Sequence, residues 1–295
     1  MSRSASTSGE SRDLRATGIL IALLGTLLMS FDPIFIRFSG VGGFDTAFLF
    51  GLFTAISMPL FIQFNDQRGL VGAVKASGWP VLLSGLLMLG SASALVLSVK
   101  NTSVANTYII FSITPALAAV FGWVFLREKT AGATWLAIFA VTIGMVVVVS
   151  GSLGSGNLIG DALALFAVTC VSLNHTVMRR YKDVSRAASV GFGGLFLALA
   201  MYFFATPSTY DLDTWLIMAV MGLFSAPFGR VLIQTATRYI TAPEVGMLQM
   251  IGIIISPFLA FGFFGELPPI NSFIGGAIIL LTILTYILAT ARKSG

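Results

Sequence analysis

Ten long apolar runs alternate with short polar connections along this chain. They occupy residues 16–37, 44–64, 78–98, 103–125, 130–150, 157–178, 187–205, 214–236, 242–264 and 270–291. Each approaches the roughly 20 residues that an α-helix needs to cross the hydrocarbon core of a bilayer. Most connections carry clusters of polar residues, among them FNDQRG at 64–69, LREKT at 126–130, MRRYKDVSR at 178–186 and STYDLDT at 208–214. No connection is long enough to fold as a separate soluble domain. The pattern predicts an all-α integral membrane protein with ten transmembrane helices.

Composition sets the solvent. Of 295 residues, 56% are apolar and only 10% charged, and the mean hydropathy is +0.94. A soluble domain carries about 25% charged residues, so this surface cannot face water throughout. The net charge of +5 reads as loop lysines and arginines on one side of a membrane rather than as a nucleic-acid footprint. A single cysteine, Cys170, and a single histidine, His175, exclude an internal disulfide, a cysteine-rich metal site and the HExxH zinc motif. No lysine follows a glycine, so no Walker A loop is present, and nothing points to ATP or another cofactor. Residues 1–15 are a polar tail, and the first apolar run is long enough to stay in the bilayer as a helix rather than be cleaved as a signal peptide.

The basic residues give an orientation. With the N-terminus in the cytoplasm, the inner side receives both tails and the connections near 68–75, 127–129, 179–186 and 238, which hold 14 of the 17 lysines and arginines. Only Arg37 and Lys100 fall outside, and Arg230 falls within a run. A wrong number of spans would scramble that asymmetry, so the count supports ten helices with both termini cytoplasmic. In bacteria this places the chain as a multi-pass protein of the cell inner membrane.

The two halves resemble each other. At an offset of 142, GILIALLGTLLMSFDPIFIRF lies over GDALALFAVTCVSLNHTVMRR, matching Gly18 with Gly160, Ser30 with Ser172, Asp32 with Asn174 and Arg37 with Arg179. At an offset of 138, Glu128 lies over Glu266. Pro115 stands thirteen residues before its glutamate and Pro257 only nine before its own, so the second proline reads as displaced by about one turn. The predicted units are 16–150 and 157–291. Five helices per unit is an odd number, which turns the second copy upside down in the membrane, the inverted repeat typical of secondary transporters.

The motif ITPALAAVFGWVFLREKT, with a mid-helix proline and a terminal glutamate, resembles the first repeat of the drug/metabolite transporter superfamily; ISPFLAFGFFGELPP is its second copy. The ten-helix EamA-type branch fits nearly the whole chain, and within it the chain is similar to bacterial YddG-type amino-acid exporters. That resemblance implies a central cavity framed mainly by the first, third, fourth, sixth, eighth and ninth helices.

Polar residues inside the runs are the candidate pathway. Asp32 lies about 14 residues past the inner boundary of its run, roughly 21 Å into a core of about 30 Å, hence in the outer third. It must meet water or a partner, or keep its proton. Pro33 deprives the Met29 carbonyl of its helical hydrogen bond, so a kink is expected here. Two readings stay open: Asp32 lines a cavity or gate, or it pairs with Arg37 near the outer interface. Asn174 and His175 are the counterparts in the inner third, where the imidazole either passes protons or hydrogen-bonds between helices. Arg230 is read in the inner half of its run, either binding a substrate carboxylate or reaching for inner headgroups. Ser91 and Tyr108 lie on stripes of small and polar residues that either pack helices closely or wall a cavity. Gln249 is a further amide of this kind, whereas Glu128 and Glu266 read as interfacial groups.

These residues point to a secondary transporter or facilitator exporting amino acids, aromatic ones included, or related small metabolites by alternating access. Nucleotide-sugar, sugar-phosphate and small-drug carriers are the runner-up; a phosphate substrate calls for several cavity cations, and only Arg230 lies in the interior of a run, Arg37 standing at the outer end of its own. An enzyme has no support: GxSxG, HExxH and a proteolytic pair of helix-borne aspartates are all missing. The partners implied are a small-molecule substrate and the lipid bilayer, with no nucleic acid. The orientation has a direct check. In a chain with Cys170 replaced, a cysteine at Ser208 is expected to react with an impermeant thiol reagent in intact cells and one at Ser185 to be protected; equal labelling would overturn the assignment.

Overall fold

The computed structural model describes residues 3–101, 107, 110–150, 158–265 and 270–293. Among these the secondary structure is entirely helical. Helix α1 spans Arg3–Met29 and breaks into the short α2, Asp32–Phe38; α3 spans Gly43–Asn65, α4 Gly69–Ser77 and α5 Trp79–Asn101. Helix α6, Thr114–Phe121, runs into a π-helical turn at Gly122–Leu126, and α7 covers Gly132–Ser150. Then come α8, Leu158–Arg180, and α9, Arg186–Met201. Helix α10, Leu212–Val220, passes through a second π-helical turn, Met221–Ser225, into α11, Ala226–Ala236. Helices α12, Ala242–Phe264, and α13, Ile270–Lys293, complete the set.

Among the described residues, six helical stretches are long and apolar enough to cross a membrane: Asp13–Phe38, Gly43–Asn65, Trp79–Ser98, Leu158–Arg180, Leu212–Ala236 and Ala242–Phe264. Four shorter apolar helices accompany them, at Thr114–Leu126, Gly132–Val147, Arg186–Met201 and Phe273–Ala289. Large apolar side chains such as Leu136, Phe139, Phe166, Leu199 and Leu281 are exposed on these helices, as expected where the surrounding medium is lipid rather than water. The connection read between the second and third runs is not extended chain, because α4 fills it. Gly78, with a φ of 62° that only glycine adopts without strain, then turns the chain into α5.

Helix ends follow local chemistry. Ser185 caps α9 by accepting the Ala188 amide and Asp211 caps α10 by accepting that of Thr214. Thr241 and Glu244 form a reciprocal capping box at the start of α12.

The main packing seams run α3 along α9, α5 along α8, α7 along α13, α1 along α11 and α12 along α6, and α9 also packs along α5. Buried apolar residues hold these seams, for example Leu49, Phe50, Leu197 and Met218 in one cluster and Val141, Met145, Ile279 and Ile283 in another. With lipid as apolar as the side chains, close backbone approach supplies much of the attraction between helices. The α3–α9 crossing shows it. A Cβ on Gly51 would stand 2.6 Å from the Ala198 nitrogen and 2.7 Å from the Gly194 carbonyl oxygen, so the helices touch backbone to backbone. At Gly262, by contrast, nothing lies within 4 Å. Gly51→Ala is therefore expected to destabilise the fold by about 1–3 kcal/mol, read as a melting temperature several degrees lower in detergent. Gly262→Ala should melt no lower than wild type; equal melting of all three proteins would contradict the crossing.

Candidate functional site

The site begins at the break in the first membrane-crossing stretch. Because Pro33 has no N–H, the chain leaves the helix at Met29 and restarts at Asp32. Ser30 and Phe31 keep short-range bonds to the carbonyls of Thr26 (2.9 Å) and Leu28 (3.2 Å). Neighbouring helices serve the irregular backbone: Ser225 Oγ donates to the Leu28 carbonyl at 2.9 Å, and Ser256 Oγ donates to the Ser30 carbonyl at 3.2 Å. In a medium without water such donors are what make a broken helix tolerable.

Asp32 sits at this break, 8% exposed. Its partner comes from α11. Arg230 Nη1 donates to Asp32 Oδ2 at 3.3 Å and to the Ala226 carbonyl at 3.1 Å, while the guanidinium carbon stands 4.4 Å from the centroid of the Phe50 ring of α3. One cation is thus held by a carboxylate, a helical carbonyl and an aromatic face. Asp32 Oδ1 is buried without a hydrogen-bond partner, and both contacts of Arg230 are made through Nη1, so each group keeps unspent hydrogen-bonding capacity.

This corrects two expectations. Asp32 pairs with Arg230, 198 positions away, rather than with Arg37; the Arg37 guanidinium lies over the Phe264 ring at 4.2 Å. Nor are the Asp32 and Arg230 side chains held apart in opposite halves of the protein, since they touch. Depth counted along regular helices separates them, but α1 is broken before Asp32 and the π turn at Met221–Ser225 precedes Arg230. A π turn inserts a residue and rotates everything after it, and the long arginine side chain closes the remaining distance.

The other sequence candidates do not join this cluster. Asn174 Oδ1 accepts from Ser84 Oγ at 2.7 Å, linking α8 to α5. His175 beside it is 4% exposed, and its Nδ1 has no hydrogen-bond partner. Ser91 donates to the Met88 carbonyl of its own helix at 3.0 Å, and Gln249 is half-buried in α12. Tyr108 and Glu266 lie outside the described residues. Sequence reasoning missed Phe50, Ser225 and Ser256. The serines carry no distinguishing pattern, and Phe50 is one of 25 phenylalanines. Gln234 of α11 is buried, with Nε2 3.8 Å from the sulfur of Met88.

Polar groups also fasten the two ends of the bundle. At the end bearing the termini, Glu244 Oε1 accepts from Arg15 at 2.6 Å and from the Tyr286 hydroxyl at 3.1 Å. Glu128 there accepts from Arg179 Nε at 3.1 Å, so its interfacial position has a partner, and Arg179 also donates to the Thr237 carbonyl. At the opposite end, Asp45 Oδ1 accepts from the Tyr210 hydroxyl at 2.6 Å and the Thr206 amide at 2.8 Å. Partial burial and the Asp45 carboxylate together push the Tyr210 phenol well above its ordinary value.

Comparison with known proteins identifies the family. The profile of the EamA-like transporter family matches this chain twice, over residues 16–150 and 158–288. An uncharacterised transporter of Clostridium kluyveri is 26% identical over 245 residues, covering 78% of this chain and 79% of that one. A pseudopaline exporter of Pseudomonas aeruginosa is 22% identical over 282 residues, covering 91% of this chain and 95% of the exporter. One solved crystal structure superposes with a TM-score of 0.80 at 18% identity, over 93% of this chain and 98% of that chain, which establishes the shared fold. With two family matches that together cover most of its length, the chain is a multi-pass membrane transporter and belongs to the EamA-like transporter family.

Proposed function

We propose that this protein exports a small metabolite carrying both an ammonium and a carboxylate, an amino acid or a close relative, across the bacterial inner membrane by alternating access. The observation that carries the reading is the Asp32–Arg230 pair. Its single contact of 3.3 Å leaves one carboxylate oxygen and the far edge of the guanidinium for a ligand. A zwitterion supplies the complementary charges: its carboxylate takes the open edge of Arg230, and its ammonium takes Asp32 Oδ1. The Phe50 ring beside them offers an apolar wall for a side chain. One cation in the interior of the runs, Arg230, suits one anionic group, which favours this class over nucleotide sugars. The pseudopaline exporter among the relatives supports export of a metabolite in general terms.

The architecture proposed for this work is ten spans in two inverted five-helix repeats, 16–150 and 157–291, with both termini cytoplasmic. The packing supports it. Exchanging each segment for the one five places along turns the α5–α8 seam into the α11–α1 seam and maps the other three seams onto themselves. The same two positions are hydrogen-bonded in each half with donor and acceptor exchanged: Ser172 Oγ donates to the Thr114 carbonyl at 3.1 Å, whereas of their counterparts at an offset of 142 it is Ser256 Oγ that donates to the Ser30 carbonyl, at 3.2 Å. At that offset Pro115 meets Pro257, so the shortening of the second copy falls after its proline. Asn174 with Ser84 then occupies the place of Asp32 with Ala226 and Arg230, a neutral pair opposite a charged one.

In proteoliposomes, a competition screen of the common amino acids, run with and without a proton gradient, is expected to find zwitterionic inhibitors of flux. No inhibition by any amino acid would remove the substrate reading and leave the family assignment intact. Arg230→Met should assemble in the membrane but bind carboxylate-bearing substrates roughly tenfold or more weakly, the loss of a charge-assisted hydrogen bond. An unchanged apparent affinity would assign Arg230 to structure alone.

A further inference from the structure

At the end bearing the termini, positive charge collects around one recess for which the chain supplies little counter-charge. The recess has a volume of about 420 Å³ and is lined by Arg68, Lys182, Asp183, Arg238 and Tyr239. Arg68 is satisfied, since Asp66 accepts from its Nε and Nη2 at 3.0 and 2.8 Å. The others are not. Arg238 Nη2 donates to the Val184 carbonyl at 3.3 Å, and the same carbonyl accepts from Arg186 Nη1 at 3.4 Å, so two guanidinium groups converge on one neutral acceptor.

Arg186 is 4% exposed. Its remaining partners are the carbonyls of Tyr181 at 2.9 Å and Met178 at 2.7 Å and the sulfur of Met178. Neither it nor Arg238 has a carboxylate within ion-pair distance among the described residues, and the Nε atoms of both are buried without a partner. Arg186 also opens α9, where the helix dipole adds positive potential instead of relieving it. Burying a guanidinium on carbonyls alone is costly, and Asp183 is the single acid on the recess wall.

We infer that this recess is a binding site for a phosphate group, supplied either by the headgroup of an anionic phospholipid or by a soluble phosphate compound. Arginine forks match the tetrahedral array of acceptor oxygens; Arg238 and Lys182 stand on the wall, Arg186 is buried behind them and adds only its field, and together they leave a charge of up to two uncompensated beside Asp183. Tyr239 adds a hydroxyl-bearing ring to the wall. The site is separate from the Asp32–Arg230 pair and does not depend on what the protein transports.

The test is thermal unfolding of the delipidated full-length protein in detergent, with short-chain phosphatidylglycerol, short-chain phosphatidylcholine, inorganic pyrophosphate, or sodium chloride at matched ionic strength. Phosphatidylglycerol, pyrophosphate or both should raise the melting temperature by several degrees above the chloride and phosphatidylcholine controls. A rise with the lipid alone makes the ligand a headgroup, and a rise with pyrophosphate makes it a soluble anion. The Lys182→Gln/Arg238→Gln variant should bind roughly tenfold or more weakly. Lys182 is exposed, so Lys182→Gln alone keeps the test readable if the double variant misfolds, with at least a halved shift expected. No rise beyond the controls, or the same rise in the variants, would overturn the proposal.

Discussion

Two opposite charges held inside an apolar bundle are the constraint around which this structure is arranged. A lone aspartate or arginine at the centre of a membrane helix costs about 2.5–3.5 kcal/mol on insertion scales. Asp32 and Arg230 reduce that cost by meeting at 3.3 Å. The meeting demands irregular backbone. Pro33 breaks the first crossing stretch so that Asp32 heads a new short helix, and the π turn at Met221–Ser225 resets the face on which Arg230 emerges. Each irregularity frees backbone groups that lipid cannot satisfy, and the Ser225 and Ser256 hydroxyls bond the Leu28 and Ser30 carbonyls where α1 ends. The serines, the proline, the π turn and the ion pair are therefore parts of one arrangement. Removing either charge leaves the other to find a partner in a site built for both.

Such an arrangement needs firm walls. Backbone contact at Gly51 and Gly194 locks α3 to α9, and α3 carries Phe50 beneath the guanidinium. Apart from Asp32–Arg230, the charged links between distant helices described above lie toward the ends, with Arg15–Glu244 and Arg179–Glu128 at one end and the Asp45–Tyr210 hydrogen bond at the other. A transporter that alternates access must break end contacts while preserving its middle. Polar links exposed to water at their edges are cheaper to break than backbone packed on backbone.

The positions of the apolar helices were legible in the sequence because bilayer thickness fixes their length and polar connections punctuate them. The resemblance to the family was legible too, carried by a proline and a glutamate at characteristic places in one helix. What escaped is backbone irregularity and long-range pairing. A π turn has no residue signature, so the face of Arg230 could not be counted from a regular helix. The partner of Asp32 lies 198 positions away, and local reasoning turned to Arg37 as the nearest charge. The break itself was readable from Asp-Pro, but the serines that stabilise it were not.

The most direct test of this account is equilibrium binding of an amino-acid substrate and two analogues, one lacking the ammonium and one lacking the carboxylate, to wild type, Asp32→Asn and Arg230→Met. If the pair reads a zwitterion, each deletion weakens binding to wild type. Loss of the ammonium should then cost Asp32→Asn little, and loss of the carboxylate should cost Arg230→Met little. Equal losses in all three proteins would contradict the account, since neither charge would be reading the ligand.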